Sequence, residues 1–267
     1  MFTEAKRVVR FVFQYFSANL QSAMEYRGAF LSQVVFMFLN NLMLLFFWWV
    51  LFTQIESLNG WSFEHVMLLY AVASGAYACQ ALLFGGSFSL SRAVAEGRLD
   101  FYLALPKPVL LHVLISRSSA SAWGDLAFSL VIFALTTAPS PGQLLGFLIL
   151  ILAGGVVTTS FAVLAHSLSF WLGHSEQLAG QLTEALLTFS LYPEGIFSAT
   201  TRLVLYTAIP AGFVSYLPVR ILKDFGLAHV GMLLVFALGL AVAARLVFYR
   251  GLRRYESGNL VVINALD

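Results

Sequence analysis

The sequence AFLSQVVFMFLNNLMLLFFWWVLF, residues 29–52, contains no charged side chain. A helix needs about 20 mostly apolar residues to cross the hydrocarbon core of a bilayer. This segment exceeds that length, and its amides Asn40 and Asn41 are of the kind that form hydrogen bonds between membrane helices. It therefore predicts a membrane-spanning helix.

The composition of the whole chain supports a membrane protein. Of 267 residues, 60% are hydrophobic and 10% are charged, whereas about 25% of the residues of a soluble protein are charged. So few charges cannot cover a water-facing surface. The formal net charge of +2 is too small to indicate a nucleic-acid partner, and the single cysteine, Cys79, excludes an intramolecular disulfide.

Five further apolar segments predict spans, which gives an all-α polytopic membrane protein with six transmembrane helices in a domain of residues 29–248. The further spans are residues 66–88, 119–138, 144–172, 178–197 and 227–248. Residues 203–222 are also apolar, but Pro210 and Pro218 interrupt them, and proline disfavours a continuous helix. We expect residues 198–224 to form a re-entrant helical hairpin between the fifth and sixth spans.

The positions of the positive charges favour this count. With both termini in the cytoplasm, 12 of the 15 Lys and Arg residues lie on the cytoplasmic side, as the positive-inside rule requires. The other three, Arg202, Arg220 and Lys223, share the connection that contains the hairpin. We therefore expect a multi-pass protein of the plasma membrane, the inner membrane in a bacterium. The first residues show no signal-peptide cleavage pattern, so we expect them to be retained.

Residues 1–28 predict an amphipathic cytoplasmic helix. Polar residues recur at helical spacing beside an apolar stripe, a pattern typical of a helix in the membrane interface. The stripe consists of Val9, Phe13, Phe16 and Leu20. Such a helix could be a membrane-surface anchor or a strut that also contacts a cytoplasmic partner. At the other end, residues 249–267 form a cytoplasmic tail whose arginines suit a helix C-terminus or anionic lipid head groups.

The cytoplasmic connection of residues 90–118 is too apolar for a free loop and too charged for further spans. A short helix ending near Pro106 and lying against a protein surface would satisfy both properties. That surface could belong to the chain's own spans or to a partner that contacts Glu96, Arg98 and Asp100.

The chain lacks the sequence motifs of an enzyme. None of its three lysines is followed by Ser or Thr, so the phosphate-binding G-x-x-x-x-G-K-[ST] loop is absent. The five histidines show no metal-ligand spacing, and there is no G-x-S-x-G motif. We expect no catalytic residue and no metal site, and any ATP hydrolysis must come from another chain.

Ionisable residues in or near the spans are costly in a bilayer and usually face protein or water. Asp125 could lock helices together, for example by pairing with a donor such as His166. Glu184, and similarly Glu194, could instead line a path for a substrate or an ion. Both interpretations remain open for these four residues.

The segment EGRLDFYLALPKPVLLHVLISR, residues 96–117, resembles the coupling loop of ABC transporter permeases of the type-2 export family. The matching positions are Glu96, Gly97, Arg98, Leu99, Asp100 and Pro106. The segments YPEGIF and RRYESGN further resemble small six-span permeases of this family that lack a fused ATPase. In such permeases the loop after the second span holds a coupling helix that docks in a groove of the ATPase.

This resemblance implies half of a translocation path in an exporter. Two ATPase subunits would bind ATP and Mg, this chain would bind no cofactor, and a second permease, identical or a sister chain, would complete the path within membrane lipid. Two other functions remain as alternatives. A secondary transporter or channel could use Asp125 and Glu184 as an ion relay without any ATPase, and a membrane-embedded enzyme would need polar residues grouped at one depth, which the sequence does not show.

Overall fold

The computed structural model describes residues 2–256, with side chains from Lys6 onward. The rest of the predicted tail, including the last three residues of the RRYESGN segment, lies outside the described residues. Within them the chain forms α-helices joined by short turns, with no β-strand. The helices are α1 (Phe2–Met24), α2 (Arg27–Phe52), α3 (Phe63–Leu83), α4 (Leu90–Ala95), α5 (Leu99–Leu103), α6 (Val109–Ile115), α7 (Ala122–Thr137), α8 (Pro141–Ser167), α9 (Ser169–Leu172), α10 (Glu176–Ser190), α11 (Ala199–Thr207), α12 (Leu217–Lys223) and α13 (Leu227–Leu252).

Four helical segments are long and apolar enough to cross a membrane. They are α2, α3, the continuous Pro141–Leu172 segment of α8 and α9, and α13. They correspond to the predicted first, second, fourth and sixth spans. The second ends at Leu83, earlier than predicted, because the chain continues as a 3₁₀ turn, Gly85–Ser89.

The predicted third and fifth spans are shorter helices. Helix α7 has 16 residues and α10 has 15, which at 1.5 Å per residue is about 24 Å and about 22 Å. Helix α10 ends at Ser190, and Glu194 begins a separate 3₁₀ turn after Pro193. The prediction of a continuous helix to residue 197 is therefore wrong, because proline disfavours helical backbone in the residue before it.

The segment between α10 and α13 was predicted to be interrupted at Pro210 and at Pro218. The structure shows a bend at the first of these positions and not at the second. Helix α11 and the helical segment Gly212–Lys223 meet at an angle of 82°, with Pro210 in the break. Pro218 does not interrupt the chain. It lies in the first turn of α12, directly after the π-helical turn Gly212–Tyr216, where a missing N–H is tolerated.

Helix α3 is the centre of the bundle and packs against α2, α7 and α8. Small residues allow this close packing, as is common in membrane helices. A Cβ atom added at Gly154 would lie 2.8 Å from the Cβ of Ala76, and one at Gly155 would lie 2.6 Å from the Cβ of Cys79. Cys79 is thus a small buried residue of the α3–α8 contact.

Candidate coupling surface and polar helix face

The predicted coupling segment folds into three short helices, α4, α5 and α6, on one side of the bundle. Helix α4 ends at Ala95, and Gly97 follows with φ of +71°. Only glycine adopts this left-handed conformation without steric cost, which makes it the common residue just after a helix C-terminus. Gly97 thereby turns the chain so that α5 begins at Leu99 in a new direction.

Helix α5 is anchored on one side and bare on the other. Leu99 is fully buried and belongs to a cluster that includes Val94, Val113 and Phe248 of α13. Phe101 is 64% exposed and Leu103 is 47% exposed. Phe101 and Leu103 thus form an exposed apolar surface on a helix that is fixed from behind, and aromatic residues are enriched at contact surfaces between proteins.

The other predicted coupling residues surround this exposed tip. Glu96 and Arg98 form an ion pair with each other, and both are exposed, as are Asp100 and Pro106. The structure thus brings the six predicted residues together around α5, with Leu99 as the buried anchor and Gly97 as the turn. The residues predicted from the sequence did not include Phe101, although it lies directly after Asp100 in the same apolar and charged segment.

His112 of α6 connects α5 to the N-terminal helix. It is buried, its Nε2 atom is hydrogen-bonded to the hydroxyl of Tyr15, and its ring centroid lies 5.2 Å from that of Tyr102 in α5. Asn19 donates a second hydrogen bond from α1, to the carbonyl of Ile115, at 3.1 Å. Helix α1 is therefore docked against the coupling segment.

Helix α4 is also joined to α10. Arg92 donates two hydrogen bonds to the carboxylate of Glu176, with N–O distances of 2.5 and 3.3 Å. Beside this ion pair lies an open cavity of about 550 Å³ lined by both residues and by Glu96, His174 and Gln177. The ion pair therefore connects α4 to the first turn of α10.

Asp125 and His166 do not pair with each other, contrary to the example given from the sequence. The side chain of Asn41 donates to Asp125 at 2.7 Å, which joins α2 to α7. The hydroxyl of Ser91 is hydrogen-bonded to Nδ1 of His166 at 2.8 Å, which joins α4 to α8. All four residues are buried, so these are contacts between helices, away from any exposed surface.

Glu184 lies in a different environment, on an exposed polar face of α10. The exposed side chains Gln177, Gln181, Glu184 and Thr188 follow one another at three- and four-residue steps, which places them on one side of a helix. The opposite side is buried and consists of Ala179, Thr183, Leu186 and Ser190. This polar face begins at the cavity beside Arg92 and continues along an otherwise apolar domain.

Glu194 belongs to a third location, beyond the end of α10. It accepts a hydrogen bond from the hydroxyl of Tyr206 at 2.9 Å, and Arg220 lies 3.7 Å away. The same region is tied to the α2–α3 loop, because Asn59 donates to the carbonyl of Gly195 at 2.8 Å, and to the first turn of α3, because Lys223 pairs with Glu64. Glu194 therefore holds the connection between α10 and α13 and does not extend the polar face of α10.

Among the side chains that the structure describes, those of residues 6–256, no group of three or more His, Cys, Asp or Glu is placed to hold a metal ion. The site consists of a protruding helix tip, a docked N-terminal helix and a polar helix face. Such an arrangement can bind a partner and contact a solute.

Comparison with known proteins identifies the family. The family model described as "ABC-2 family transporter protein" matches residues 38–258. No curated protein matches the chain, and no solved structure does. The family match covers most of the chain, from the middle of α2 to beyond α13, and includes both the coupling segment and the polar face of α10. The chain therefore belongs to the ABC-2 transporter family and is a membrane component of an ABC-type transport system.

Proposed function

We propose that this chain is the permease subunit of an ABC exporter whose ATPase subunits are separate polypeptides. The observation that carries the proposal is the exposed Phe101 on α5, fixed from behind by the fully buried Leu99. Residues 1–267 contain no nucleotide-binding loop, which supports an ATPase that contacts this chain as a separate protein. Helix α5 has the exposure and the rigid support that such a contact requires.

The proposed topology has six spans with both termini in the cytoplasm. Helices α7 and α10 complete the six. They are about 6 and 8 Å shorter than the hydrocarbon core of about 30 Å, but both lie beside longer helices, and a bilayer can thin locally around a short span. The bent pair of α11 and Gly212–Lys223 forms the re-entrant hairpin. This topology keeps α1, α5 and the arginines at the end of α13 on the cytoplasmic side, as the positive-inside rule requires.

The proposed translocation path follows the polar face of α10. Exposed amide and carboxylate groups such as Gln181 and Glu184 are costly when they face lipid, so this face requires a protein or aqueous neighbour. A second permease, identical or a sister chain, supplies the other wall of the path. The exposed apolar surfaces of α2 and α13 face lipid or that second permease.

Force from the ATPase reaches the path by two contacts. Leu99 transmits movement of α5 into the cluster that contains Val163 of α8 and Phe248 of α13. The ion pair of Arg92 and Glu176 transmits movement of α4 to α10. ATP binding in two partner subunits, with its Mg ion, then alternates the exposure of the path between the two sides of the membrane.

The test is the effect of Phe101→Ala on association with the ATPase. The chain is expressed together with the P-loop ATPase of its own transporter, purified through a tag on the permease, and assayed for bound ATPase and ATP hydrolysis. We expect Phe101→Ala to lower both. The control is Phe225→Ala, because Phe225 is 75% exposed but lies at the opposite end of the bundle.

Equal losses of bound ATPase and of ATP hydrolysis in both variants would show that Phe101 is not the contact with the ATPase. If the purified chain alone moved a solute down an ion gradient in vesicles without ATP, the protein would instead be a secondary transporter or a channel.

A further inference from the structure

Helix α1 has two exposed strips that suit the cytoplasmic surface of a membrane. Val9 is 68% exposed and Phe13 is 67% exposed, and both lie on one side of the helix. Lys6, Arg10 and Arg7 are also exposed, and in helical projection they follow one another in that order on the adjoining strip, all on the same side of Val9. An apolar strip bordered by a basic strip is typical of a helix that lies at the level of the lipid head groups.

The opposite side of α1 is occupied by the protein itself. Phe11 and Tyr15 contact the ring of His112, with centroid distances of 5.2 and 5.1 Å, and Nζ of Lys107 lies 5.4 Å from the centre of the Phe11 ring. The docked side is therefore aromatic and fixed by the Tyr15–His112 hydrogen bond. The bare side, with Val9 and Phe13, is directed away from the coupling segment.

We propose that α1 binds anionic phospholipids of the cytoplasmic leaflet through Lys6, Arg7 and Arg10, and that this binding holds α1 against α6 and α5. The charge selects the lipid, because zwitterionic head groups offer no net negative potential to three cations. Each Lys or Arg near an anionic membrane surface contributes about 1 kcal/mol, which is about a five-fold gain in affinity per residue.

The lipid would influence transport through His112. The imidazole contacts Tyr15 of α1 on one side and Tyr102 of α5 on the other, so a seated α1 restricts the position of α5. This second step rests on the proposed function, since it assigns α5 to the ATPase contact. The first step, lipid binding by α1, does not depend on it.

The experiment uses the full chain in proteoliposomes with an environment-sensitive dye at Phe13→Cys in a Cys79→Ala background. Vesicles of phosphatidylcholine are compared with vesicles that also contain phosphatidylglycerol. We expect the dye to report a more apolar environment with phosphatidylglycerol. The combined variant Lys6→Gln, Arg7→Gln, Arg10→Gln should weaken this preference roughly 100-fold, and high salt should weaken it in the unmodified chain.

The matched control removes the same number of charges elsewhere, in Arg250→Gln, Arg253→Gln, Arg254→Gln at the end of α13. It should leave the dye response at Phe13 unchanged. An equal loss in this control, or an equal signal in both lipid mixtures, would overturn the proposed site. A response of the dye to inorganic phosphate in phosphatidylcholine vesicles would overturn the choice of a lipid as the ligand.

A second dye, at Ala104→Cys, tests the transmission to α5. We expect its response to phosphatidylglycerol to disappear in His112→Gln while the Phe13 response persists. A persisting Ala104 response in His112→Gln would overturn the route through His112. ATPase association in phosphatidylcholine alone is measured in parallel, so a failure of lipid binding is distinguishable from a failure of the exporter assignment.

Discussion

The hydroxyl of Tyr15 is hydrogen-bonded to Nε2 of His112, which lies 97 residues further along the chain. This contact joins the first helix to the segment that carries the exposed Phe101. The imidazole is buried, and its Nδ1 atom has no hydrogen-bond partner among residues 2–256. A polar ring in this position is suited to its neutral form.

The docking of α1 should therefore depend on pH. Burial lowers the pKa of His112 below its ordinary value, whereas an undocked imidazole has the ordinary histidine pKa of about 6.5. Because docking favours the neutral imidazole, the docking of α1 is fully stable above the pKa of the undocked ring. This stability is lost as pH falls from that pKa through the lowered pKa of the docked ring. The groups that face this ring are Phe11, Tyr15 and Tyr102, with Lys107 over Phe11.

The measurement is the distance between spin labels at Ala18→Cys and Arg117→Cys, again with Cys79→Ala, from neutral to mildly acidic pH. We expect the distance distribution to broaden as pH falls below the pKa of the undocked imidazole. His112→Gln cannot gain a proton in this range, so its distribution should not change. The same broadening in His112→Gln would assign the effect to another group.

The Asn41–Asp125 pair should be structural. Removal of the amide in Asn41→Leu leaves a buried carboxyl without its donor, and an unsatisfied buried polar group costs about 1–3 kcal/mol. We expect a lower unfolding temperature for Asn41→Leu in detergent and a partial recovery in the double variant Asn41→Leu, Asp125→Leu. If the double variant folded stably but lost all transport, Asp125 would belong to the path and not to the helix contact.

The Arg92–Glu176 ion pair should matter for coupling more than for stability. Both side chains are about half exposed, and exposed ion pairs contribute little to folding. Arg92→Glu should reduce transport per ATP hydrolysed while the unfolding temperature stays close to that of the unmodified chain. The exchange Arg92→Glu, Glu176→Arg should restore transport. An exchange variant as impaired as Arg92→Glu alone would show that the pair transmits no movement.

The sequence was most informative where one local property decides the outcome. Residues 29–52 are long enough to cross a bilayer and contain no charge, and these two local properties predict a membrane helix because a charge in lipid is costly. The sequence predicted that residues 90–118 lie against a protein surface for a similar reason, because their apolar side chains required a cover and their charges required water. Pro210 predicted the bend before Gly212 for a purely local reason as well.

Only the tertiary structure decided which polar residues meet and which helix faces stay bare. The sequence left the roles of Asp125, His166 and Glu184 open, and the structure shows two of them buried in helix contacts and one exposed on α10. The contact of Tyr15 with His112 could not be predicted from the sequence either. Hydropathy depends on neighbouring residues and can be read along the chain, whereas hydrogen-bond partners depend on how distant helices pack, which no local pattern encodes.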